Sequence, residues 1–71
     1  MNKDSMEFVV YMIHYYANKW HVSPADVYKK LNEAGCIMKY LVPHYEVLHT
    51  QSSEYIMNDI VLYLKGRGIT L

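Results

Sequence analysis

Residues 23–35, SPADVYKKLNEAG, contain an amphipathic helix together with both of its boundaries. Ser23 is a preferred N-cap residue, and Pro24 suits the first helical position, where its missing N–H would have no helical partner. Gly35 suits the left-handed conformation that ends many helices. One apolar stripe at helical spacing lies between these boundaries and consists of Val27, Tyr28, Leu31 and Ala34. This segment therefore predicts a helix from Pro24 to Gly35 and favours a helical fold.

The segments on both sides show the same periodicity. A first helix is predicted over about Asp4–Trp20, with Asp4 as its N-cap. A last helix is predicted from Ser52 or Ser53 to Lys65, before a glycine-rich end. Three main helices thus account for most of the chain.

Residues 36–50 have a weaker pattern. We predict a short helix over Ile37–Leu41 and a second from Pro43 to near His49. Val42 is expected to be extended, because a residue before proline disfavours helical geometry. The alternative is a strand through the first of these segments. The predicted fold is all-α, a compact bundle of three main helices plus one or two short helices.

The composition limits the function. The chain has 71 residues and a formal net charge of zero, which predicts a single domain over 1–71 with an ordered core over about 4–66. So short a chain has little room for an enclosed substrate cavity, so no enzyme activity, cofactor or small-molecule substrate is predicted. One cysteine cannot form an internal disulfide and fits a reducing compartment, hence a cytoplasmic location. No membrane span or signal peptide is predicted.

The first helix is apolar on two sides. Its predicted core face consists of Met6, Val9, Val10, Ile13, Tyr16, Ala17 and Trp20. Phe8, Met12 and Tyr15 lie together on another side, where water is expected. Tyr55 and Leu62 also lie outside the main apolar stripe of the last helix. These five residues are candidates for contact with a protein partner, and the open alternative is that the short helices fold across them.

A metal or catalytic site receives little support. Cys36, His44 and His49 have a C-x7-H-x4-H spacing, which lacks the closely paired ligands of zinc sites. Cys36 follows a helix C-terminus, where the helix dipole disfavours a thiolate. No metal ligand or catalytic residue is therefore predicted, and a site at these three residues is the least favoured alternative.

Nucleic-acid binding is the second hypothesis. The second helix, Gly35 and the following short helix resemble a helix-turn-helix in outline, and Lys19, Lys29, Lys30 and Lys39 could contact phosphates. The chain has no net positive charge, however, and the segment before Pro43 is short for a recognition helix. A nucleic-acid partner is therefore disfavoured.

A polar run, His49, Thr50 and Gln51, follows an aromatic-rich segment. Its side chains can donate and accept hydrogen bonds, so it is a candidate for contact with a partner's backbone. The favoured alternative is that Thr50 or Gln51 helps to cap the last helix.

Several segments together resemble a known family. They are Asn18-Lys19-Trp20, Ser23-Pro24 with Val27-Tyr28, and the run from Tyr45 to Gln51 (YEVLHTQ). Over about Asp4–Gly68 the chain is similar to the short bacterial proteins of domain of unknown function 3791. The resemblance implies a bacterial, cytoplasmic protein with no established activity. The genes of some members of this family lie beside genes for toxin-like proteins. The resemblance therefore favours a role as a partner protein or an antitoxin-like protein.

The leading hypothesis is a non-enzymatic interaction module. It would be a homodimer or the small partner of another bacterial protein, because the first helix has more apolar surface than one core face needs.

Overall fold

Residues 2–69 are described by a computed structural model, and this part of the chain contains five helices and no strand. In chain order they are α1 (Lys3–Trp20), α2 (Pro24–Glu33), a π-helix (Ile37–Leu41), α3 (Tyr45–Leu48) and α4 (Ser53–Gly66). The all-α prediction of three main helices plus one or two short helices is confirmed, and the structure has two short ones. The predicted domain covers 1–71, of which residues 1, 70 and 71 lie outside the described part.

The boundaries of α2 and α4 follow their predicted signals. The Ser23 hydroxyl accepts the N–H of Ala25 at 3.2 Å, and Pro24 is the first residue of α2. Gly35 has φ +75°, the left-handed conformation expected after this helix. The Ser52 hydroxyl accepts the N–H of Tyr55 at 3.1 Å and caps α4.

Helix α1 begins earlier than predicted. Its N-cap is Asn2, whose Oδ1 accepts the N–H of Ser5 at 2.8 Å. The Ser5 hydroxyl donates in return to the Asn2 carbonyl at 3.1 Å, and Ser5 is buried. The prediction of Asp4 as N-cap was wrong, because this reciprocal pair places Asp4 inside the first turn, where its charge favours the helix dipole.

The segment after Gly35 forms a π-helix. The Val42 N–H donates to the Ile37 carbonyl at 2.9 Å, five residues earlier. Val42 has φ −71° and ψ −50°, so the expectation of extended geometry before Pro43 was wrong. Its N–H is held by the i→i+5 bond and its side chain packs against the core, which outweighs the steric preference imposed by the proline.

Helix α1 lies against α2, α4 and the π-helix, and its rotation differs from the predicted one. Met12 is fully buried, together with Val9, Ile13, Tyr16 and Ala17. Three residues of the predicted core face, by contrast, are about half exposed: Met6 (52%), Val10 (47%) and Trp20 (51%). The buried side of α1 is therefore displaced towards the side on which Met12 lies.

The π-helix is joined to α4 by one polar contact and a series of stacked rings. The Tyr40 hydroxyl donates to Asp59 Oδ2 at 2.8 Å, and the Tyr40 ring stacks on that of Tyr63 at 5.7 Å. Arg67 continues the series, with its guanidinium 4.8 Å from the centre of the Tyr63 ring. Burial and then the bond to Asp59 raise the pKa of Tyr40.

Replacing Gly35 by alanine tests the left-handed turn before the π-helix. A non-glycine residue in the left-handed conformation costs about 1 kcal/mol. In a domain of this size that loss lowers the melting temperature by about 4–8 °C, which we expect for Gly35→Ala. A Cβ would meet only the flexible Lys39 side chain at 3.3 Å, so φ is the main source of strain. Gly66→Ala is the control: Gly66 has open space and no positive φ, and a melting temperature at or above that of the parent is expected.

Replacing Tyr40 by phenylalanine tests the link to α4. We expect Tyr40→Phe to reduce the free energy of unfolding by about 1–2 kcal/mol at neutral pH, because Asp59 loses a hydrogen bond. The folded pKa of Tyr40 lies above the unfolded value of about 10. The stabilisation by Tyr40 is thus complete below about pH 10 and declines above it. The difference in free energy of unfolding between the parent and Tyr40→Phe should therefore become smaller above about pH 10. Urea unfolding across this range measures it, and a difference that grows with pH would contradict the assignment.

Candidate functional site

A shallow cleft of about 560 Å³ lies where the first half of α1 meets α3 and the start of α4. Its lining residues are Asp4, Glu7, Phe8, Tyr11, Met12, Tyr45, His49, Gln51, Ser53 and Ile56. Met12 and Ile56 are buried core residues that form its apolar part. The lining thus combines an apolar base with aromatic rings and two carboxylates.

The aromatic walls of the cleft contact one another. The rings of Phe8 and Tyr45 meet edge to face with centroids 5.5 Å apart, and His49 stacks on Tyr45 at 4.7 Å. The Tyr11 and Ser53 hydroxyls share a hydrogen bond of 2.8 Å between α1 and α4. These contacts between α1, α3 and α4 hold the walls of the cleft in place.

The cleft is electronegative. Asp4 and Glu7 are both exposed on α1, and none of the described residues lining the cleft is a lysine or arginine. Desolvation and then the charges of three carboxylates raise the pKa of Tyr45: Asp4, Glu46 and Glu7. The field of all three carboxylates therefore reaches the aromatic wall.

A separate apolar groove of about 210 Å³ borders another side of α1. Its lining residues are Met6, Val9, Val10, Ile13, Tyr28, Asn32, Ile37 and Met38. None of them is charged, and four large side chains at its edge are about half exposed: Met6, Val10, Tyr28 and Met38. Helices α1, α2 and the π-helix all contribute to this groove.

The cleft brings together part of the predicted partner-binding set. Phe8 and Met12 line it, but Met12 is fully buried, so the prediction that it faces water was wrong. Phe8 is half-buried because Tyr45 of α3 covers it, as the alternative of folded-over short helices proposed. Tyr15 is half-buried as well, and its ring lies 6.2 Å from that of Tyr11.

The other predicted contact residues are Tyr55 and Leu62 of α4 and the polar run of His49, Thr50 and Gln51. Tyr55 and Leu62 are exposed on α4 at 52% and 65%, but they line neither the cleft nor the groove. Thr50 donates to the Val47 carbonyl at 2.7 Å and so closes the end of α3. The prediction that Thr50 or Gln51 caps α4 was wrong, since Ser52 occupies that position. His49 and Gln51 line the cleft.

The residues considered for a metal site do not form one within 2–69, where no group of three or more histidine, cysteine or acidic side chains is placed to hold an ion. Cys36 is buried, whereas His44 and His49 are exposed. His44 hydrogen-bonds through Nδ1 to the Tyr40 carbonyl at 2.9 Å. Of the four lysines considered for phosphate contact, Lys30 is half-buried and the other three are exposed: Lys19, Lys29 and Lys39.

In a comparison with known families, a family model matches residues 7–67 of the chain. The chain belongs to this family, Protein of unknown function (DUF3791). No curated protein and no solved structure matches the chain. In this DUF3791 member, none of the helices within 2–69 combines the length and apolar character needed to cross a bilayer.

Sequence reasoning missed most of both surfaces. Met6 and Val10 were assigned to the core, and Tyr28 to the apolar stripe of α2, although all three border the groove. Asp4 and Tyr11 were not recognised as neighbours of Tyr45. The available signal was the i, i+4 repeat of Met6 and Val10 and of Glu7 and Tyr11, which places each pair on one side of α1.

Cys36 provides a test of the buried interior. Burial raises the pKa of its thiol to about 12, while Arg67 opposes this rise. We expect native protein to react with a disulfide reagent such as DTNB at neutral pH at least about a hundredfold more slowly than urea-unfolded protein, because the thiolate is the nucleophile. Equal rates in the two states would show that Cys36 is accessible.

Proposed function

We propose that this protein is a non-enzymatic interaction module of the bacterial cytoplasm that associates as a symmetric homodimer through the apolar groove. The observation that carries the proposal is the cluster of exposed Met6, Val10, Tyr28 and Met38 around that groove. Contiguous apolar surface of this kind marks interaction sites on soluble proteins.

The chemistry of the groove suits a protein surface. Methionine adapts its shape to a facing side chain, and tyrosine contributes a large contact area with few rotatable bonds. Both residue types are enriched in the centres of interfaces. Val9, Ile13 and Ile37 are buried at its base, so the groove continues directly into the core.

A second copy of the chain is the occupant that the charges favour. In a two-fold interface the same patch lies on both sides, so an unpaired charge within it would be buried twice. None of the described residues that line the groove is charged, so they do not present this obstacle. The chain is also small, and oligomerisation is one of the ways in which small domains gain buried apolar area.

The cytoplasmic location is supported by the single cysteine. Cys36 is a free thiol with no second cysteine in the chain to pair with, as is usual for proteins of reducing compartments. A role as the small, antitoxin-like partner of another protein is the alternative use of the same groove, and the experiment below separates the two.

Substitution of Val10 by lysine tests the interface. By light scattering after size-exclusion chromatography, we expect the parent to have about twice the mass of one 8.4 kDa chain. Val10→Lys should have the mass of one chain, because each copy would bury an unpaired lysine charge in the apolar contact. Val47→Lys is the matched control: Val47 is 64% exposed on α3, outside the groove, and this variant should stay dimeric.

A strictly monomeric parent at concentrations up to about 1 mM, which corresponds to only about 4 kcal/mol of association free energy, would overturn the homodimer. If Val10→Lys then also abolished binding to a partner protein while Val47→Lys did not, the groove would be a docking site for that partner.

A further inference from the structure

We propose that the cleft between α1, α3 and α4 binds an arginine side chain presented by another protein. The cleft and the apolar groove border different sides of α1, and their linings share no residue. This inference therefore does not depend on the homodimer.

The charge of the cleft selects a cation. The carboxylates of Asp4 and Glu7 belong to its lining. Desolvation, and then these two carboxylates together with Glu46 of α3, raise the pKa of Tyr45 in the wall of the cleft. No lysine or arginine of the described lining neutralises them. An anionic partner such as a nucleic-acid backbone would be repelled here, whereas a cationic side chain would be attracted.

The apolar base of the cleft selects a cation with an aliphatic stem. Met12 and Ile56 belong to the lining, and they are 0% and 2% exposed. The carboxylates above them belong to exposed residues of the first two turns of α1. Long basic side chains bury their methylene groups along apolar surface while the charged end stays near water and carboxylates. A metal ion or a small inorganic cation would leave this apolar base unused.

The aromatic walls favour arginine over lysine. Phe8, Tyr11 and Tyr45 lie beside the carboxylates, and His49 extends the wall by stacking on Tyr45. A guanidinium group is planar and weakly hydrated, so it stacks on rings while it donates to a carboxylate. An ammonium group keeps more of its hydration and gains less from the rings. The Gln51 side chain offers a further amide at the same edge.

Binding of matched peptides to the full chain tests this inference. The probes are acetyl-Gly-Gly-Arg-Gly-Gly-amide and the same peptide with citrulline, which has nearly the same shape but no charge. In two-dimensional ¹H–¹⁵N NMR titrations we expect the arginine peptide to shift amide signals of α1, α3 and the start of α4. The citrulline peptide should bind at least about fivefold more weakly, and the lysine peptide about two- to fivefold more weakly.

Two charge reversals identify the site. Glu7→Lys should weaken binding of the arginine peptide at least about fivefold, because it removes one carboxylate and adds a repulsive charge. Glu33→Lys makes the same charge change at an exposed residue of α2 outside the cleft. This variant should bind the arginine peptide within about twofold of the parent's affinity. The amide spectra of both variants report whether they remain folded. A Val10→Lys chain should bind the peptide as the parent does.

The ring stacking has its own signature. The δ protons of the bound arginine should move upfield, because they lie over the faces of aromatic rings. Equal affinity for the arginine and citrulline peptides, equal losses in Glu7→Lys and Glu33→Lys, or amide shifts outside the cleft would each overturn the proposal. Tighter binding of a single-stranded oligonucleotide than of the arginine peptide would also overturn it.

Discussion

The rotation of α1 about its own axis is the constraint on which the rest of the structure depends. Met12 is fully buried, and two contacts beside it fix the rotation: the Phe8 ring meets Tyr45 of α3, and the Tyr11 hydroxyl bonds to Ser53 of α4. Because a helix places side chains at fixed angles, burying the Met12 side turns Met6 towards solvent. The same rotation thus creates the exposed edge of the groove and brings α1 against the wall of the cleft.

Local signals in the sequence predicted the helices well and failed where distant contacts decide. Helix α2 begins after Ser23 and ends before Gly35, as predicted, because capping depends on backbone groups a few residues away. The geometry of Val42 was mispredicted because an i→i+5 hydrogen bond and packing against the core oppose the effect of the following proline. The Asn2 cap is an exception: its partner, the Ser5 N–H, is only three residues away, but Asp4 offers a second N-cap signal beside it.

The candidate site was only partly predictable for the same reason. Periodicity shows that α1 is apolar on two sides, but it does not state which side the short helices cover. The sequence therefore singled out Phe8 and Met12 as lying off the core face and left open whether the short helices cover them; in the structure Met12 is fully buried and Phe8 is half-buried. His49 lies in the predicted polar run, yet its stacking on Tyr45 and its place in the lining of the cleft need the turn at residues 42–44 to orient α3.

The π-helix gives a physical reason why the two surfaces can differ so much within one small domain. Its Ile37 and Leu41 side chains are buried, so the neighbouring residues are directed to either flank. Met38 extends the neutral groove, whereas Tyr40 reaches Asp59 of α4. The Asp59 carboxylate is therefore occupied by a hydrogen bond within the fold, whereas the Glu7 carboxylate is exposed at the cleft. The net charge of zero thus conceals a separation: apolar surface lies on one side of α1 and negative charge on another. The proposed homodimer contact and the proposed arginine site therefore use different residues.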